Sequence, residues 1–245
     1  MSIRKGGSNT LVFMSRLLTM VNLPYRNIYA PDWERSNGIV TIHISSGYEN
    51  GEIIGIPYGI YARLILFYIV TEAVKSKSPI IYLGDSFNNF IKNININKKG
   101  GHQINSIRHQ LQKMLSCEFS WIQQDKSYKF SISDTYKIFE NYVYLNKEFY
   151  DEIIKSPIPL DFEIIKQLKN SPMCIDLYML LTWRTFKLKN QTFISWKNIE
   201  FQLGSQYEDS NNFIKKCIKY ISIIKNLCPH MNIEIGRGRI ILNPR

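Results

Sequence analysis

Hydrophobic positions along this chain change period several times. Stretches with the three-to-four spacing of a helix give way to runs of β-branched residues, with Gly, Pro, Asn and Asp at the changes. A helix is predicted over residues 8–21, and a strand over 38–44, where Ile39-Val40-Thr41-Ile42 is β-branched throughout. Gly47, Gly51 and Gly55 punctuate a turn-rich stretch, after which Pro57-Tyr58-Gly59 opens a long apolar helix to about residue 75. A short strand follows over 80–83, then a small helix over 87–94 capped by Ser86, and a further helix over 103–115 after the Gly100-Gly101 break. Residues 118–123 and 127–133 flank Gln124-Asp125-Lys126 and read as a β-hairpin.

That order, helix, strand, helix, helix, hairpin, is the winged-helix arrangement, a relative of the helix-turn-helix. Paired prolines in Pro157-Ile158-Pro159 suit a junction, since proline resists helix and sheet interiors alike. Beyond it the order recurs. Ser171-Pro172 starts a helix to about residue 186, and residues 192–194 form a strand. Ser195 caps a helix ending at Leu203 with Gly204 as its C-terminal cap, and Asp209-Ser210 caps a longer helix to about residue 227. Residues 233–242 close the chain as a hairpin around Gly236-Arg237-Gly238. The expected fold is therefore α+β with two tandem winged-helix domains. The division is an N-terminal helix and linker over residues 1–34, a first domain over 35–156 and a second over 157–245.

The final long helix separates its residues by face. Asn211, Asn212, Lys215, Lys216, Lys219, Ser222 and Asn226 fall on one side, and Phe213, Cys217, Tyr220, Ile221, Ile224 and Leu227 on the other. A recognition helix needs this division, one face packed and the other carrying amides and cations toward a groove; a solvated face with no partner needs it too. The following hairpin favours recognition. Asn binds adenine edges in a bidentate way and Lys reaches guanine or phosphate, so Asn211, Asn212 and Lys215 are the base-reading candidates, with Lys216 and Lys219 assigned to phosphate. Arg237 and Arg239 bracket Gly238 at the hairpin tip, placed to reach a minor groove or the backbone. Lys197 and Gln202 lie on the preceding helix, which in helix-turn-helix proteins crosses the phosphate backbone. Lys98, Lys99, His102, Arg108, His109 and Lys113 make a second basic patch in the first domain, for DNA, a partner or solvent.

Charge agrees with a polyanionic partner. The 31 Lys and Arg residues against 20 Asp and Glu leave a net charge of +11, although the abundance of Ile, Asn, Lys and Tyr also fits the codon usage of an AT-rich genome. Cys117, Cys174, Cys217 and Cys228 form no C-x-x-C pair and read as reduced, buried thiols of a bacterial cytoplasmic protein. The most apolar stretch, residues 60–74, contains Arg63 and Glu72, so no membrane span is expected. Catalysis has no motif to rest on: His43 has no second histidine beside it, and no G-x-x-x-x-G-K-S/T loop is present. The chain is expected not to be an enzyme and to need no cofactor and no metal.

Leu23-Pro24-Tyr25-Arg26, Arg35-Ser36-Asn37-Gly38, Pro57-Tyr58-Gly59, Arg63-Leu64 and Thr71-Glu72-Ala73-Val74-Lys75 occur in order in the first half. Pro157-Ile158-Pro159-Leu160-Asp161, Ser171-Pro172, Asp176-Leu177-Tyr178, Arg184 and Ile194-Ser195-Trp196 occur in the second. In order and spacing this series resembles the plasmid-encoded RepA replication initiators of bacteria, from Leu23 onward. The resemblance implies binding to repeated double-stranded sequences at a plasmid origin, duplex opening, and recruitment of the host initiator and replicative helicase. It further implies copy-number control, with an inactive homodimer and an active monomer. Leu203-Gly204 stands where the family has Phe-Gly, and Cys228-Pro229-His230 replaces a more aromatic segment. A winged-helix transcriptional regulator would use the same residues on an operator.

Overall fold

The structure, a computed structural model, describes residues 11–94, 96, 100–123, 126–133, 141–186, 188–204 and 207–244. The chain begins with β1 (Leu11–Met14) and α1 (Arg16–Met20). Next come β2 (Asp32–Ser36), β3 (Val40–Ser45), the small pair β4 (Tyr48–Glu49) and β5 (Glu52–Ile53), and the long helix α2 (Gly59–Ser76). The first half continues through β6 (Ile80–Tyr82), α3 (Phe87–Asn93), α4 (Gly101–Ser116), β7 (Glu118–Gln123), β8 (Lys126–Ser131), β9 (Tyr142–Tyr144) and α5 (Lys147–Lys155). The second half comprises β10 (Ile158–Asp161), α6 (Phe162–Leu168), α7 (Pro172–Thr185), β11 (Thr192–Ser195), α8 (Trp196–Leu203), α9 (Ser210–Leu227), β12 (Ile233–Gly236) and β13 (Arg239–Leu242).

The fold is α+β, with the winged-helix order of elements in each half. In the second half, β11, β13 and β12 form an antiparallel sheet in that spatial order, so the closing hairpin is tied to the short strand after α7. In the first half the hairpin β7–β8 joins β3 and β2 in the order β2-β3-β7-β8, while β6 pairs with β9. Strand β2 was not expected from its sequence, Asp-Trp-Glu-Arg-Ser, which carries three charges. It forms because β3, whose Val40, Ile42 and Ile44 are buried, offers it a partner through a turn at Asn37-Gly38. Gly38 takes φ +81 there, and the Asn37 side chain accepts from the Ile39 and Val40 amides.

Two expected features change. The helix expected over residues 8–21 shrinks to α1, because Leu11–Met14 pairs antiparallel with Ile158–Asp161; Ser8 to Thr10 lie outside the described residues. The Phe13 amide donates to the Thr71 hydroxyl at 2.8 Å and Ser15 caps α1, so tertiary partners outbid the local helical period. By the same pairing, Pro157 to Asp161 is more than a connector: residues 158–161 are a strand, and Pro159 fits because a two-stranded ribbon leaves each strand a free edge.

Two helices, α2 and α7, are buried on nearly every side, and each carries one charged residue of a pair. Arg63 of α2 meets Asp176 of α7, with both side chains 2% exposed. Its Nε donates to Asp176 Oδ1 at 2.9 Å and its Nη2 to Oδ2 at 2.7 Å. The remaining N–H groups go to the carbonyls of Leu23, Pro24 and Gly59, so all five donors are satisfied. Burial alone would lower the Arg63 pKa, but the Asp176 charge and its hydrogen bonds reverse the direction and raise it. Among the described residues, no helix is long and apolar enough to cross a membrane.

Candidate nucleic-acid interface

The site is assembled by α8, α9 and the hairpin β12–β13. Ser195 accepts from the Asn198 amide to start α8, and Gly204, at φ +57, ends it in the left-handed conformation. Asp209 accepts from the Asn211 amide to start α9. Phe213, Cys217, Tyr220, Ile221 and Ile224 then turn inward, anchoring α9 against α7 and α8. The opposite face is open: Asn211, Asn212, Lys215, Lys219, Ser222 and Asn226 are all exposed. Lys216 sits on the flank, half-buried, its ammonium 5.3 Å from the centre of the Tyr220 ring.

At the hairpin tip, Gly236 pairs with Arg239 across a two-residue turn in which Gly238 adopts φ +74. Arg237 projects from that turn into solvent. Arg239 is exposed as well, with its guanidinium 4.5 Å from the centre of the Phe193 ring on β11. The contact limits the rotamers of the cation, which lowers the entropy lost when it meets a phosphate. The Gly238 carbonyl accepts from the Trp196 amide at 3.2 Å, so the tip rests on the first turn of α8, where exposed Lys197 is the next residue. Lys197, Arg237 and Arg239 thus share one end of the domain. Trp196 itself is core.

Gln202 does not belong to that surface. It is buried, and its amide oxygen accepts from Arg184 Nη2 at 3.3 Å, because the inward position of α8 in the last turn places it against α7. Phe193 is the residue that sequence reasoning missed. Its signal was an aromatic at an outward strand position, but the cross-strand register that sets Ser195 opposite Arg239, and hence Arg239 near Phe193, belongs to the pairing.

The first-half basic patch disperses. Lys98 and Lys99 lie outside the described residues. The Arg108 guanidinium lies 4.9 Å from the Phe87 ring centre, and Lys113 is drawn inward to Asn27 Oδ1 (3.1 Å) and over the Tyr58 ring, where burial lowers its pKa. His102 and His109 remain exposed on α4. The four cysteines are buried, which pushes the thiols of Cys117, Cys174 and Cys217 up to about 12 and keeps them protonated. Among the described residues, no group of three His, Cys, Asp or Glu side chains is placed to hold a metal ion.

A family model described as plasmid encoded RepA protein matches residues 56–198, more than half of the chain, from the start of α2 into α8. The chain belongs to the plasmid-encoded RepA family of replication initiators. The match takes in Arg63, Asp176 and the strand β11 that anchors the terminal hairpin, and stops short of α9. No curated protein matches the sequence. Among solved structures, a crystal structure of RctB domains 2 and 3 is similar with a TM-score of 0.56 at 12% identity, covering 94% of this chain and 96% of that one. A selenomethionine derivative of the same RctB domains gives a TM-score of 0.54 at 11% identity, covering 94% and 95%. At such identities the likeness is one of fold.

Proposed function

We propose that this RepA-family chain binds repeated double-stranded sequences at a plasmid origin, with α9 in the major groove and the β12–β13 hairpin on the flanking backbone. The observation that carries the reading is the division of α9: a buried apolar face and an exposed face of amides and lysines, followed directly by an arginine-bearing hairpin. On this reading Asn211, Asn212 and Lys215 contact bases. Lys197, Lys216, Lys219, Arg237 and Arg239 contact phosphates. Residues 157–245 read the origin and 35–156 serve dimerisation and auxiliary contact. Bound at the repeats, the protein promotes opening of the duplex and brings in the host initiator and replicative helicase, working in the bacterial cytoplasm and breaking no covalent bond itself.

The test is a footprint of the purified protein on its plasmid's origin and on scrambled DNA at near-physiological salt. Protection of regularly spaced repeats is the expected result; equal, salt-sensitive binding to both would leave only a generic basic protein. A strand break in origin DNA incubated with magnesium or manganese would overturn the non-enzymatic part.

A further inference from the structure

The last carbonyls of a helix have no partner within it. In α8 the Glu200 and Phe201 carbonyls accept from the Gly204 amide, and those of Leu203 and Gly204 find donors far away in the chain. The Leu203 carbonyl accepts from the Tyr25 hydroxyl at 2.8 Å, and the Gly204 carbonyl accepts from Arg35 Nη2. Both donors belong to the first half, Tyr25 in the segment after α1 and Arg35 on β2. The arrangement is also exclusive in shape. Gly204 is left-handed, and a Cβ on it would overlap the Arg35 guanidinium, which occupies the space a side chain would fill. A cation at that point also suits the negative end of the helix dipole.

Neither donor is loose. Arg35 Nη1 reaches Asn22 Oδ1 at 2.5 Å, and the rings of Tyr25 and Trp33 lie 5.6 and 5.4 Å from its guanidinium carbon. Asn22 Nδ2 in turn donates to the Tyr25 oxygen at 2.8 Å and to Asp176 Oδ2 at 2.5 Å. The chain of contacts therefore runs from the buried Arg63–Asp176 pair, through Asn22, to the end of α8. Burial raises the Tyr25 pKa far above its ordinary value, so the hydroxyl keeps its proton and stays a donor.

Helix α8, which this cap ends at Gly204, packs directly against α9, whose N-cap is Asp209. We propose that Tyr25 and Arg35 are positioning residues for DNA reading: they form a C-terminal cap on α8 supplied by the other half of the chain, which sets the angle at which α9 meets the groove and so sets sequence discrimination. The inference rests on α9 being the reading helix. It assigns to the first half a part in specificity that needs no contact with a base.

The experiment uses the full chain carrying Arg35→Met, Arg35→Lys or Tyr25→Phe, with Ile65→Val in α2 as a variant that loosens the core without touching the cap. Each is measured well below its own melting temperature, for affinity to an origin repeat and to a scrambled duplex of equal length, over a series of salt concentrations. Arg35→Met is expected to weaken repeat binding about tenfold, the size of one lost base contact, while scrambled binding stays within about twofold and the salt slope is unchanged. Arg35→Lys, which keeps the cation but cannot reach both Asn22 and Gly204, and Tyr25→Phe should fall between it and the parent. Ile65→Val should leave the ratio of repeat to scrambled affinity alone. A parent chain that discriminates, with variants that keep its ratio, overturns this inference and leaves the DNA-reading proposal standing. A parent chain that binds both duplexes alike overturns that proposal, and this one with it.

Discussion

Helices α4 and α9 hold the same place in the two halves, each third in the winged-helix order and each followed by a hairpin, yet they are built for different work. Helix α9 starts on a side-chain cap from Asp209 and shows solvent a row of Asn and Lys. Helix α4 starts after Gly100 without a side-chain cap, and its cations are engaged with neighbouring rings and amides. The hairpins differ in the same sense. In the second half the later strand, β13, takes β11 as its outside partner, and the tip rests on α8 with Arg237 in solvent. In the first half the earlier strand, β7, pairs with β3, and the hairpin becomes part of a four-stranded sheet. One order of elements thus yields a terminal wing or the edge of a larger open sheet according to which strand finds an outside partner.

Breaking the joint between the halves should have the largest effect. Asp176→Ala leaves Arg63 charged and unpaired in the core, and is expected to cost about 3 kcal/mol or more in denaturant unfolding. A loss under about 1 kcal/mol would mean that water reaches the pair. Asn212→Ala sharpens the comparison at the reading face. It should relax preference at one position of the repeat by about 1–3 kcal/mol, measured against single-base variants, with little change in scrambled binding.

The salt dependence separates the helices more gently. Lys219→Ala should lower the slope of log affinity against log salt by about one unit, whereas His102→Ala on α4 should leave it in place. An equal drop in slope in the two variants would place α4 on the DNA as firmly as α9, and an unchanged slope in Lys219→Ala would take Lys219 off the phosphates.

The smallest effect concerns Glu152 of α5, whose carboxylate accepts from the Ser15 hydroxyl and the Leu17 amide at the start of α1. Burial raises its pKa in the folded chain despite those bonds. The folded state therefore holds this proton more tightly than the unfolded state. Its contribution is fully present below the ordinary carboxylate value and is lost as the pH rises through the raised one. Glu152→Gln, neutral throughout, should gain melting temperature relative to the parent as the pH rises through that window; a constant difference would show that burial does not govern the group.

Several readings needed only local chemistry. Ser86, Ser171, Ser195 and Asp209 cap the helices expected of them, Gly204 ends α8, and the inward positions of α9 match its apolar period. Each depends on groups a few residues apart, so order along the chain contains the answer. The exposed face of α9 was legible for the same reason. Gln202 was misplaced because a polar residue near the end of a short helix does not reveal which neighbour, here Arg184, will turn it inward.

The sequence by itself determined the helix, strand, helix, helix, hairpin order within each half, the caps, the amphipathic helix, the positive balance and, through its motif series, the family. Tertiary structure alone decided that residues 11–14 are a strand, that residues 158–161 are its partner, and that β7 rather than β8 takes an outside partner. It also brought Tyr25, Arg35, Arg63 and Asp176, scattered along the motif series, into one network that runs from the buried core to the end of α8. The physical reason is range: caps and periodicity act over one turn of helix, whereas these strand partners and buried charges are chosen among groups far apart in the chain, where only the burial of the whole core selects the pairing.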